Sequence, residues 1–332
     1  MNRVADRRRM QHRGLAIGAM FAALLGLAVT AATVWALYTA KAANDGNELV
    51  AAGDWAAPSA STTVIGKSLG GVPGFIKQGG GYNVYATVSD SGAPASGTAS
   101  VSANASPITT GQTAAALSSG SFSFGGVSYN YRSAALTANA VLAAGTYSYS
   151  LTSRDLAANS RTQSGFTVTV DNTAPTAVDI QTTNKSGNTA GKPELGDSIT
   201  FTFSEPIDPT SILANWNGES TGVVARMTNA TGDPLSVYNA ANTTQLPLGS
   251  VNLGRNDYVS ANATFGATGT ASTMVLSGNT ITVTLGTASA GPSTASTTGT
   301  MTWTPSASAY DRAGNAGTTN ARTESGNADK EF

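Results

Sequence analysis

The chain has 332 residues, 40% hydrophobic and 11% charged, with a formal net charge of −1, no cysteine and one histidine, His12. Beyond that histidine, Ser-His-Asp and Cys-His nucleophiles, thiolate chemistry, disulfides and His-ligated zinc or iron are excluded. The length allows about two domains. With so few charges the surface must be covered by Ser, Thr, Asn and Gly, which suit pleated faces and turns better than long helices.

The chain opens with Arg3, Arg7, Arg8, Arg9 and Arg13, followed by an uncharged apolar run from Gly14 to Tyr38 and the small-residue site Ala40-Lys41-Ala42. This is the grammar of an export segment, residues 1–43. The run is also long enough to cross a bilayer, so a cleaved signal peptide and a retained transmembrane anchor are both open. The well-placed A-x-A site favours cleavage. Without the basic n-region the remainder is mildly acidic, which argues against nucleic acid and anionic membrane surfaces as partners. Contact with the membrane is expected only through the N-terminal segment. A linker, residues 44–60, follows.

The segment from Thr30 to Thr62, with Gly53, Trp55 and Pro58 in a G-x-W-x-x-P arrangement, resembles the N-termini of surface proteins of high-GC Gram-positive bacteria that carry SipW-type signal peptides. The resemblance covers about 60 residues and implies export and surface display.

From residue 61 to 172, short alternating runs separated by Gly, Pro, Asn and Ser predict half-buried strands: Tyr82–Val88, Thr98–Ala103, Ser121–Tyr131, Thr146–Ser153 and Phe166–Val170. Such a series predicts an antiparallel sandwich and no long amphipathic helix. The stretch Gly145-Thr146-Tyr147 through Arg154-Asp155-Leu156-Ala157-Ala158-Asn159 resembles the late-strand signature of bacterial Ig-like domains, which ends in D-x-A-G-N; Ala158 stands where that family prefers Gly. The resemblance implies that Tyr147 forms a tyrosine corner, ring in the core and hydroxyl on nearby backbone, and that Asp155 and Asn159 cap the last hairpin. Asp171-Asn172-Thr173-Ala174-Pro175 then reads as a short, stiff junction, because Pro175 holds Ala174 extended.

A second module spans residues 173–321. Gly196 to Asp208 contains a strand with Ile199, Phe201 and Phe203 on one face, and resembles the F-S-E-P segment of Ig-like domains first noted in S-layer proteins. Asp208-Pro209 offers a helix N-cap with Pro at N1, predicting a single helical turn before Trp216. Later strands are expected at Leu235–Val237, Thr273–Leu276, Thr280–Leu285 and Met301–Trp303, with Ser277-Gly278-Asn279 as a hairpin turn. The tracts 251–269 and 288–300 read as loops. Asp311-Arg312-Ala313-Gly314-Asn315 repeats the D-x-A-x-N element, which marks two related modules. Residues 322–332 read as a polar, unstructured tail without a sortase motif or hydrophobic end.

The expected fold is therefore all-β, two tandem Ig-like antiparallel sandwiches after a hydrophobic export helix. Carboxylates are the remaining acid–base groups. Glu205 and Asp208 are close enough in sequence to pair as a glycosidase does, but strand ending and helix capping account for them, and nothing marks Lys67, Lys77, Lys185 or Lys192 as a neutral catalytic lysine. No catalytic or cofactor-binding residue is expected. Calcium is a minority expectation, with Asp90, Asp155, Asp171 and Asn172 converging near the junction as acidic residues do between cadherin-like modules. Trp216 and Trp303 are expected in the core. Of Tyr82, Tyr85, Tyr129, Tyr131, Tyr147 and Tyr149, several are expected to face outward, where a row could grip a polysaccharide. The resulting reading is a non-enzymatic, extracellular, secreted or cell-surface protein, structural or adhesive. Its alternatives are a carbohydrate- or matrix-binding module and a self-assembling fibre or sheath subunit.

Overall fold

The computed structural model describes residues 53–289 and 291–332, together with the backbone of the antiparallel pair β1 (Ala42–Asn44) and β2 (Asn47–Leu49). The expected export helix lies outside the described residues. Among the described residues no helix is long and apolar enough to cross a membrane.

The fold is all-β, with two large sheets. The first uses β3 (Ser59–Lys67), β4 (Phe75–Ile76), β5 (Gly81–Ser89), β6 (Thr98–Asn104), β7 (Ala115–Phe124), β8 (Val127–Ser133), β9 (Leu136–Thr137), β10 (Gly145–Asp155) and β11 (Ser160–Val170). Its order is β3-β5-β8-β7-β6-β10-β11-β4, with β9 on β5 and β4 parallel to β11. The two ends of this sheet meet: Gln163 Oε1 accepts from Ala60 N, its Nε2 donates to Ala60 O, and Gly74 N donates to Ile65 O.

The second sheet uses β12 (Ala177–Thr183), β13 (Ser198–Phe203), β14 (Thr221–Met227), β15 (Leu235–Asn239), β16 (Ser250–Asn252), β17 (Ala263–Phe265), β18 (Ser272–Ser277), β19 (Thr280–Thr284), β20 (Thr302–Thr304) and β21 (Arg322–Thr323). Its order is β12-β13-β19-β18-β14-β15-β16-β20-β21, with β17 on β14. Asp179 on β12 accepts from Ser325 N and Oγ, just past β21, so this sheet also curls until its ends meet. Both sheets are barrel-like.

The interior of the second sheet is organised by Trp303, fully buried, with Phe201 and Phe203 edge-on at 5.2 and 4.9 Å and its Nε1 donating to Leu248 O. Alternation in β13 places Ile199, Phe201 and Phe203 inward. One short helix, α1 (Pro209–Ile212), forms as the Asp-Pro pair predicts, Asp208 Oδ1 accepting from Thr210 N at 3.0 Å.

By compactness the described chain divides differently from the two sheets. A smaller unit gathers the residues through Ser59 with Val88–Ser100 and Ser153–Thr162; a larger one holds Ala60–Thr87, Val101–Thr152 and Gln163–Phe332.

Several expectations need correction. The run Ser121–Tyr131 is not one strand: Gly125 and Gly126, both at positive φ, turn β7 back as β8. The tract 251–269 is not all loop, because β17 lies within it and Leu253, Tyr258, Val259 and Phe265 are core residues, whereas 288–300 holds none of the strands above though Ala295 is buried. The tail is not unstructured: β21 pairs with β20, and Phe332 packs on Tyr258 at 6.3 Å with 2% exposure. One aromatic residue at its end supplies the apolar burial that composition concealed. The tyrosines are mostly inside. Tyr82, Tyr85, Tyr129 and Tyr149 are buried, so they offer no outward row for a polysaccharide.

Candidate functional site: two carboxylate corners

The D-x-A-x-N elements form the same corner twice. In the smaller unit, Asp155 Oδ1 accepts from Asn159 N at 2.7 Å and Oδ2 from Asn159 Nδ2 at 2.8 Å. In the larger unit, Asp311 Oδ1 accepts from Asn315 N at 2.7 Å and Oδ2 from Asn315 Nδ2 at 2.7 Å. The turn demands left-handed backbone at its fourth residue: Gly314 has φ +91°, and Ala158 adopts φ +75° in the same place. The missing glycine therefore strains the first corner without reshaping it.

Each asparagine then reaches backward. Asn159 Nδ2 donates to Asp54 O at 2.8 Å, and Asn315 Nδ2 donates to Asp171 O at 2.9 Å. Both acceptors begin a D-x-x-A-P stretch, Asp54 to Pro58 and Asp171 to Pro175, that leads into the first strand of a sheet. A half-buried amide so placed satisfies the turn and the incoming chain together.

Three carboxylates gather at each corner. Asp54, Asp90 and Asp155 bring one oxygen each within 4.8 Å of one another, and so do Asp171, Glu205 and Asp311. In the first set, Asp54 Oδ1 accepts from Ala56 N and Oδ2 from Ser96 N and Oγ, while Asp90 Oδ2 accepts from Gly97 N at 2.7 Å. The Ser96 and Ala56 backbone donors hold the Asp54 carboxyl below its ordinary value. The second set is less well supplied. Glu205 Oε1 is buried without a partner, and burial, followed by the charges of Asp171 and Asp311, pushes its carboxyl up to about 7. Burial likewise raises Asp311 against the pull of its Asn315 bonds.

The expected calcium set is thus split. Asp90 and Asp155 stand with Asp54, Asp171 stands with Glu205 and Asp311, and Asn172 has backbone partners of its own. Its Oδ1 accepts from Gln78 N and its Nδ2 donates to Leu142 O. The donors around Asp54, Asp90 and Asp155 already give these carboxylates the hydrogen bonds of a turn staple. Asp54, Glu205 and Asp311 are the members that sequence reasoning missed as partners in these groups. The D-x-x-A-P repeat was the available signal for Asp54.

The remaining singled-out residues have structural settings. Tyr147 donates its hydroxyl to Ala143 O at 3.1 Å, and its ring is half-buried rather than in the core; Tyr149 fills the core instead. Asp208, besides capping α1, pairs with Lys67 Nζ at 2.6 Å, both side chains largely buried. Lys77 Nζ donates to Gly314 O at 2.7 Å. Within the larger unit these two lysines tie the first sheet to the second around a cleft of about 540 Å³. The sequence matches no protein-family model, and no curated protein matches it.

Proposed function

We propose that the protein is an exported, non-catalytic surface protein, structural or adhesive, whose two sheets are Ig-like modules displayed outside the cell. The observation that carries this reading is the repeated corner, in which the D-x-A-x-N asparagine fastens each sheet to the D-x-x-A-P stretch before it. A corner repeated with the same hydrogen bonds suits the joining of modules, and a joined, Cys-free array suits a mechanical role. The Lys67–Asp208 and Lys77–Gly314 ties support the same reading, since they resist bending at the junction. The N-terminal arginines and apolar run supply the export signal or anchor. Burial of four tyrosines weighs against the carbohydrate-binding alternative.

The test is the N-terminal mass of protein recovered from culture medium, membranes and cytosol. A start near Ala43 or Asn44 in the medium is expected for cleavage, and an intact Arg-rich terminus in membranes for an anchor. Full-length protein confined to the cytosol would overturn the proposal.

A further inference from the structure

A third acidic group lies in the last residues of the chain. Glu324, Asp329 and Glu331 bring one oxygen each within 4.8 Å of one another, at the point where the last residues fold back on the second sheet. The backbone there is firmly placed. Glu324 N donates to Met301 O, Gly299 N to Asp329 O, and Glu331 N to Tyr258 Oη at 2.7 Å.

Glu331 supplies a second, independent observation. It is 1% exposed, its Oε2 accepts from Thr182 Oγ1 at 2.7 Å, and its Oε1 is buried with no hydrogen-bond partner. A buried carboxylate oxygen without a donor takes up a proton or acquires a positive neighbour, and burial and the Glu324 carboxyl do push Glu331 up, to about 8, when no cation is there. No ion pair among the described residues involves this group: they are Lys67–Asp208, Lys192–Glu194 and Arg255–Asp257, and Lys330, between Asp329 and Glu331 in the chain, pairs with neither. The second oxygen of charge nearby is also acidic, Asp179, engaged by Ser325.

We propose that Glu324, Asp329 and Glu331 form a calcium site that locks residues 322–332 onto the second sheet. All three donors are hard oxygens, the set that favours calcium or magnesium over softer metals. Magnesium keeps several waters and is usually held by one or two carboxylates, whereas calcium takes six to eight oxygens, so three convergent carboxylates suit calcium. The exposed Asp329 gives the ion its route in, and Thr182, donating to Glu331 and accepting from Phe332 N at 3.2 Å, holds the buried ligand in place. The site stands independently of the surface-protein reading.

The experiment is a thermal melt of the full-length chain in 1 mM calcium, 1 mM magnesium and EDTA, about the concentrations at which a millimolar or tighter site is visible. A midpoint several degrees higher in calcium than in EDTA, with a smaller change in magnesium, is expected. Glu331→Gln abolishes the calcium shift, and Asp329→Asn, an exposed change that leaves the core intact, weakens calcium binding at least about tenfold. Glu205→Gln, at the second corner, retains the full shift. No calcium shift in the unaltered protein overturns the proposal and leaves a proton shared between Glu331 and Glu324. A shift that survives both Glu331→Gln and Asp329→Asn overturns it equally.

Discussion

Glu205 is a residue whose cost pH exposes. Its folded-state carboxyl is raised to about 7 by burial and by Asp171 and Asp311, against an ordinary value of 4.5. Between those values the folded protein keeps a proton that the unfolded chain has lost, so stability falls as pH rises from 4.5 to 7 and stays lower above. Glu205→Gln removes the penalty. Urea unfolding at pH 8 is expected to show the variant about 1–2 kcal/mol more stable, and at pH 4 the two proteins should coincide. A variant less stable at pH 8 would mean that the carboxylate itself is needed there. The convergence behind this effect was not legible in the sequence. Glu205-Pro206 reads locally as a strand end, and Asp171 and Asp311 reach it only through tertiary packing. The D-x-A-x-N turn was legible, because all its internal bonds lie within five residues.

At the level of elements, β5 shows where alternation misleads. Tyr82, Asn83, Val84, Tyr85 and Ala86 are all buried in succession. Tyr85 stacks on Phe124 at 4.9 Å on one face, and Asn83 Nδ2 donates to Ser133 O. Curling covers one face of β5, and the Tyr85, Phe124 and Tyr129 cluster with Val64 and Phe122 covers the other, so residues on either face need not see water. Gly66 belongs to the same packing: a Cβ there would stand 2.1 Å from the Phe124 ring. The final element was concealed by composition instead. Phe332 is the lone aromatic among polar neighbours, yet it fills a place against Tyr258. Phe332→Ala is expected to cost about 3 kcal/mol in chemical denaturation; a loss under about 0.5 kcal/mol would place that side chain outside the cooperative core.

For the whole molecule, the division into two sheets at the Asp171–Pro175 stretch was legible because a motif repeats at that spacing. The ties across the junction were not, since Lys67 and Asp208 are 141 positions apart and neither residue signals the other. Lys67→Ala leaves Asp208, 4% exposed at its side chain, without its cation. A loss of about 3 kcal/mol is expected, with calorimetry resolving one broad transition into two as the sheets uncouple. A single sharp transition at the original midpoint would show that the junction is held by other contacts.

The corners also set an order of assembly. Asn159 completes the first using only chain that precedes it, and Asn315 does the same for the second. Were the chain exported as proposed above, the first corner could close outside while the second sheet was still inside the translocation channel, and that closure would bar backward slippage of the chain.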